Sequence, residues 1–261
     1  MRQFKLGDLP YSYNALEPFI DEATMRMHHE KNHQGYVNSL NSVTDKLSNL
    51  NSGMLDMMLL ELKTDPSKVD KDLYKVLINA GGGNYCHTFY FNSLSPPSDQ
   101  TSFNMMGTKL KQEMDKKYPT LEELKRQFIE NSKKLFGSGW VWLVYCKEDT
   151  KVLVEITTNT LTTRDDKKTS QSKILKGGNL EIVCTKNQES PPMFSRNLIP
   201  VLPMDLWEHA FILKHKNNKV NYINDFFSVI NWTFITEVFD KTVVNEEILI
   251  ITDNGEIKFQ K

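Results

Sequence analysis

Six histidines are spread over 261 residues: His28, His29, His33, His87, His209 and His215. Five of them fall in three short segments whose patterning reads as helical. The sharpest pattern is Asp205-Leu-Trp-Glu-His209. On a helix, a spacing of four puts Asp205 and His209 on one face about a turn apart. Both side chains then reach one ion while Trp207 and Glu208 turn elsewhere. An ordinary surface pair has the same spacing, but Leu206, Trp207, Ala210 and Phe211 argue for burial. A buried carboxylate and imidazole need partners or a metal. His28, His29 and His33 form a second cluster, with Tyr36 two turns beyond His28. His87, in Cys-His-Thr-Phe-Tyr-Phe, reads alone as a core histidine. Three imidazoles and one carboxylate suit a borderline-hard redox metal, iron or manganese, better than copper or a closed zinc site. Spacing by itself leaves open whether these segments converge.

The elements that must position these residues are legible in outline. Pro10 and Pro18 bracket an extended lead-in, and Asp21 caps an expected helix running to about Leu47. Further helices are expected at Met54–Leu62 and from Asp70 to Phe91. The second contains Gly81-Gly82-Gly83, so another part of the chain must approach that backbone closely, or the helix kinks. Pro96-Pro97 opens a polar linker reaching Asn104, and Leu121–Leu135 is an amphipathic helix. Trp140–Cys146 and Val152–Thr157 read as a hairpin about Lys147–Lys151, with another strand at Leu180–Thr185. Helices at Asp205–Lys216 and Tyr222–Phe239 follow, then a hairpin in 246–261 around Asn254-Gly255. The expected fold class is α+β, with an antiparallel sheet because its strands are joined by short turns.

Composition narrows the function. Lys+Arg is 32 against Asp+Glu 33, which offers no overall electrostatic case for nucleic acid or a membrane surface. Only five of the basic residues are Arg, which weakens any reading built on phosphate forks. Cys86, Cys146 and Cys184 are odd in number and far apart, so a reducing compartment is expected. The apolar run at Gly139–Cys146 is far short of a bilayer span, and MRQFKLGDLP has no apolar secretory core.

Several blocks, in order, resemble the iron/manganese superoxide dismutase family. They are Leu-Pro-Tyr at 9–11, HHEKNHQGYVNSLN at 28–41, HTFYFNSLSP at 87–96, FGSGWVWL at 136–143, DLWEHAF at 205–211 and VINWTF at 229–234. The resemblance implies an N-terminal helical hairpin domain over 1–97. It implies an α+β domain with a three-stranded antiparallel sheet flanked by helices over 98–239, with an insertion near 164–203. A C-terminal extension covers 240–261. One Fe or Mn ion is implied, held by His28, His87, Asp205 and His209, with iron slightly preferred from HTFYFNSLSP and GSGWVWL. Tyr36 matches the family's gateway tyrosine, Trp140 and Trp207 its apolar wall, and Glu208 the residue that reaches the partner's ligand histidine across a dimer.

The same resemblance exposes departures. The family sets a glutamine against the metal-bound solvent from one of two positions; these fall here at Gly83 (iron type) and at Thr160 after Asn159 (manganese type). Neither is Gln. The family's gateway histidine falls at Asn32 and its cross-interface tyrosine at Ile212, which implies an altered or asymmetric interface. Two functions are therefore carried forward. One is a working superoxide dismutase, a homodimer or a heterodimer with a related chain. The other is a catalytically weak dismutase-like scaffold in a mitochondrial ribosome or respiratory complex. The expected location is the mitochondrial matrix, as a mature form, rather than the cytoplasm.

Overall fold

The computed structural model describes residues 3–47, 50, 54–97, 102–156 and 169–261. In chain order the elements are α1 (Glu22–Arg26), α2 (Gln34–Asn41), α3 (Leu55–Thr64), α4 (Lys71–Val76), α5 (Gly82–Asn92), α6 (Thr108–Asp115) and α7 (Leu121–Lys134). Strands β1 (Gly139–Cys146), β2 (Thr150–Ile156), β3 (Thr169–Leu175), β4 (Asn179–Lys186) and β5 (Leu198–Asp205) follow. The chain closes with α8 (Ile212–His215), α9 (Lys219–Phe226), α10 (Trp232–Phe239), β6 (Ile248–Ile251) and β7 (Ile257–Gln260). No helix among the described residues is long and apolar enough to cross a membrane.

The first expected helix forms as α1 and α2 joined by a widened π segment, Met27–His33, which carries all three histidines of the cluster. The 70–91 helix forms as α4 and α5 with a second π segment, Leu77–Gly81, between them. Asp70 caps α4 by accepting from the N–H groups of Asp72 and Leu73. Residues Gly82–Phe91 of α5 are all buried, so this helix runs through the centre of the molecule. The glycines meet the close approach expected of them. A Cβ on Gly82 would lie 2.0 Å from the carbonyl oxygen of Gln188, and one on Gly83 would lie 2.4 Å from the Tyr36 ring. Helix α7 begins with a side-chain cap: Thr120 Oγ1 accepts from the Glu123 N–H. Its Leu124, Phe128 and Ser132 form one buried stripe, which packs on β4.

The three-stranded antiparallel sheet has the order β4-β1-β5, in keeping with the expected α+β class. Two sequence readings are corrected here. β1 does not pair with the next strand; β2 pairs with β3 in a separate two-stranded sheet. β1 is buried over nearly its whole length and takes partners on both edges, which a single local hairpin cannot provide. Pairing of Cys146 with Asn179 makes 147–178 the excursion from the sheet. The part of the expected insertion from 179 to 203 instead builds β4 and most of β5. Secondly, 205–216 is not one helix. Asp205 is the last residue of β5, and His209 lies in a 3-10 turn, Glu208–Ala210, before α8. The terminal hairpin forms as expected, as β6 and β7.

Candidate metal centre

Four side chains from four elements meet in the interior. The π segment brings His28, α5 brings His87, the end of β5 brings Asp205 and the 3-10 turn brings His209. Asp205 Oδ2 lies 3.1 Å from His28 Nε2, 3.2 Å from His209 Nε2 and 3.7 Å from His87 Nε2. The nitrogens of His87 and His209 are 3.4 Å apart. One donor atom from each residue falls within 4.8 Å of every other. The spacing of four between Asp205 and His209 succeeds without a helix, because a strand end and a tight turn return the chain to the same point.

Neighbouring groups orient these side chains. His87 Nδ1–H donates to the Gly83 carbonyl at 2.7 Å, so its Nε2 lone pair faces the cluster. Asp205 Oδ1 accepts from the Trp207 N–H at 2.7 Å, which leaves Oδ2 for the histidines. The Trp207 ring stacks on His209 at 5.7 Å and 15°, and its Nε1–H donates to the Asn187 carbonyl. Trp140 meets His87 edge-on at 5.2 Å. Glu208, in the same turn as His209, is exposed.

Burial prepares the donors as ligands. It lowers His28 to about 4, and drives His87 well below the ordinary histidine value. Burial alone pushes Asp205 up, but the charges and hydrogen bonds of His209 and His28 win and hold it below the usual carboxylate range. At neutral pH a carboxylate thus faces the neutral imidazoles of His28 and His87, the protonation state that metal binding requires. His28 Nε2 is buried and, apart from its 3.1 Å approach to Asp205 Oδ2, meets no polar group that satisfies it, as expected of an atom meant for an ion. The donor set fits a borderline-hard ion.

The expectation that the outer glutamine is missing is wrong. Gln188, just past β4, donates from Nε2 to the Tyr36 hydroxyl at 2.8 Å, and its Oε1 accepts from Trp140 Nε1 at 3.2 Å. The hairpin asparagine is Asn187, not Asn159, and Thr160 lies outside the described residues. Gly83 leaves room for the Tyr36 ring that Gln188 meets. Sequence reasoning missed Gln188 because the 147–178 excursion displaced the numbering of the hairpin. The available signal was Asn-Gln one residue beyond a strand able to pair with β1. Of the other expected residues, Tyr36 lies tilted against His87 at 5.2 Å and 41°, and Ile212 is 41% exposed on α8. Asn32 keeps a shielded Oδ1 without a partner.

A helical layer against an α+β layer, with three imidazoles and one carboxylate gathered where they meet, defines a protein whose described residues can hold one metal ion. Residues 3–95 match the model of the iron/manganese superoxide dismutase alpha-hairpin domain. Residues 106–177 and 170–238 match that of the family's C-terminal domain. The chain is 32% identical over 236 residues to the "Superoxide dismutase [Mn/Fe] 2" of Staphylococcus aureus strain bovine RF122 / ET3-1, covering 90% of this chain and 97% of the relative. The protein of the same name from strain Mu50 / ATCC 700699 matches to the same extent. The chain belongs to the iron/manganese superoxide dismutase family.

Proposed function

We propose that this chain dismutates superoxide at one iron or manganese ion held by His28, His87, Asp205 and His209. The observation that carries the reading is the convergence of four donor atoms within 4.8 Å, three of their residues buried and His209 largely so, with Gln188 and Tyr36 placed beside them. When bound, the ion supplies the alternating one-electron oxidation and reduction by which two superoxides and two protons give oxygen and hydrogen peroxide.

The protein's own residues handle orientation, water and protons. Gln188 Nε2–H occupies the Tyr36 oxygen as acceptor, so the Tyr36 hydroxyl hydrogen is free to donate. Burial, with the Asp205 charge, raises Tyr36 to about 12, which keeps that hydrogen in place at neutral pH. Tyr36 is half-buried and so connects the interior to solvent. Trp140, fully buried, and Trp207 wall the ligands off from bulk water. Gln188 tethers Tyr36 to Trp140 and thereby sets the distance of the proton donor from the cluster.

Gln188 enters from the end of β4, the position the family resemblance assigns to the manganese type. That supports manganese over the iron lean drawn from HTFYFNSLSP and GSGWVWL. It also removes the main support for an inactive scaffold. Exposed Glu208 beside exposed Ile212 and Leu213 supports a dimer through the α8 face. A single preparation analysed for metal and for turnover tests the reading. About one manganese or iron per chain with rapid superoxide removal is expected; full occupancy with no turnover would overturn it.

A further inference from the structure

The C-terminal hairpin lies against the segment that opens the chain. Its turn is closed by Gly255 N–H donating to the Thr252 carbonyl at 3.0 Å and Thr252 N–H donating to that of Glu256 at 2.9 Å. Leu249 and Ile251 of β6 are buried, and Ile257 and Phe259 of β7 pack on the same core. The turn grips the lead-in: Lys5 N–H donates to the Asp253 carbonyl at 2.7 Å. Gly7 and Gly255 touch backbone to backbone. A Cβ on Gly7 would lie 2.3 Å from the Gly255 oxygen, and one on Gly255 2.4 Å from the Gly7 nitrogen. Gly255 also holds φ +73°, which side-chain-bearing residues adopt at a penalty. On the other side, Asn41 exchanges two hydrogen bonds with the Phe4 backbone, at 2.7 and 2.8 Å.

Held in this way, the Gly7 carbonyl accepts from His29 Nε2–H at 3.0 Å. The second ring nitrogen, Nδ1, accepts from the Tyr13 hydroxyl at 3.0 Å. Both nitrogens of a buried imidazole are therefore tied to the lead-in, and its ring stands edge-on to Phe91. His29 adjoins His28 in the π segment, so fixing one ring limits how far the turn can rotate about its axis.

We propose that the C-terminal hairpin is a positioning element of the metal centre. Through the Gly7 carbonyl it holds His29, and through His29 it sets the direction of His28. This inference rests on the ligand assignment given above. Neighbours that orient a ligand histidine typically change metal affinity by 10–100-fold when lost.

The test uses the metal-loaded full chain and three readings: the rate of metal transfer to a chelator, the optical spectrum of the bound ion, and the unfolding temperature. Gly255→Ala should release metal about tenfold faster and shift the spectrum. Tyr13→Phe removes the other tie to His29 and leaves the hairpin alone; it should shift the spectrum in the same direction. The double variant should fall short of the sum of the two. Where Gly255→Ala fails to fold, Phe259→Ala loosens the hairpin from its packing side, and the same readings apply. A Gly255→Ala or Phe259→Ala protein that melts lower, yet keeps the wild-type spectrum and release rate, would reduce the hairpin to a stabilising appendage and overturn the inference. A folded wild-type chain that takes up neither manganese nor iron would overturn the ligand assignment, and this inference with it.

Discussion

Strand β1 has two unlike ends. At the Gly139 end, Trp140 pairs with Asp205 on one side and Thr185 on the other, and Gln188 follows just past β4. Trp140, Asp205, Thr185 and Gln188 are buried there, and side-chain hydrogen bonds join Gln188 to Trp140 and Tyr36. At the Cys146 end, backbone bonds and exposed side chains close the sheet: Gly178 N–H donates to the Cys146 carbonyl, Lys147 N–H to that of Asn197, and Asn197 Nδ2–H to exposed Glu148 at 3.1 Å. Beyond it the β2–β3 hairpin carries exposed Lys173, Ile174 and Lys176. One end of the sheet is fixed by what its side chains must reach. The other needs only a closed turn, so it accepts a long excursion.

That contrast breaks or sharpens under four perturbations. The largest effect is expected from His87→Ala, which should leave no metal bound after dialysis; elemental analysis showing wild-type content would refute the ligand set. Gln188→Leu strands the Tyr36 hydroxyl and the Trp140 N–H together. It should keep its metal and lose turnover by about 10–100-fold; steady-state assays at matched metal content decide this.

Acid sensitivity should reside at the same end. Burial lowers His28 to about 4 and His33 to about 3 in the folded chain. The unfolded chain, with histidines near 6.5, binds more protons between those values, so stability rises with pH there and is lost on acidification. For His28 alone, the metal-free protein should lose roughly 2 kcal/mol between pH 7 and pH 5. Urea unfolding that is flat across this window would place the titration elsewhere.

The smallest effect belongs to the far end. Val152 and Lys173 are register partners, so residues 153–172 can be replaced by Asn-Gly. Stability should move by less than about 1 kcal/mol, with turnover unchanged. A large loss of activity would mean that the excursion communicates with the metal centre.

The donors were legible because each is one of few residues able to bind a hard ion, set among apolar neighbours. The helices were legible from their apolar stripes and breaks, although Asp21, read as a cap, makes no capping hydrogen bond. The glycines at 82 and 83 announced a close approach without saying by what. The strand pairing was not legible. β1 and β2 are neighbours in sequence and both β-prone, so the local rule joins them. The true partner of Cys146 lies 33 positions away, at Asn179. Placing the asparagine–glutamine pair depended on that pairing, and an error in register became an apparent loss of chemistry.

The sequence by itself determined the candidate metal-binding residues, the family and most of the helices, because residue type and local period carry that information. Only the tertiary structure decided that Gln188 stands beside Tyr36, that Asp205 and His209 meet from a strand end and a turn, and that the last hairpin grips the first residues. Each of these joins groups far apart in the chain or set by the register of a sheet. Such contacts are fixed by which burial closes the core, and local propensity does not encode that choice.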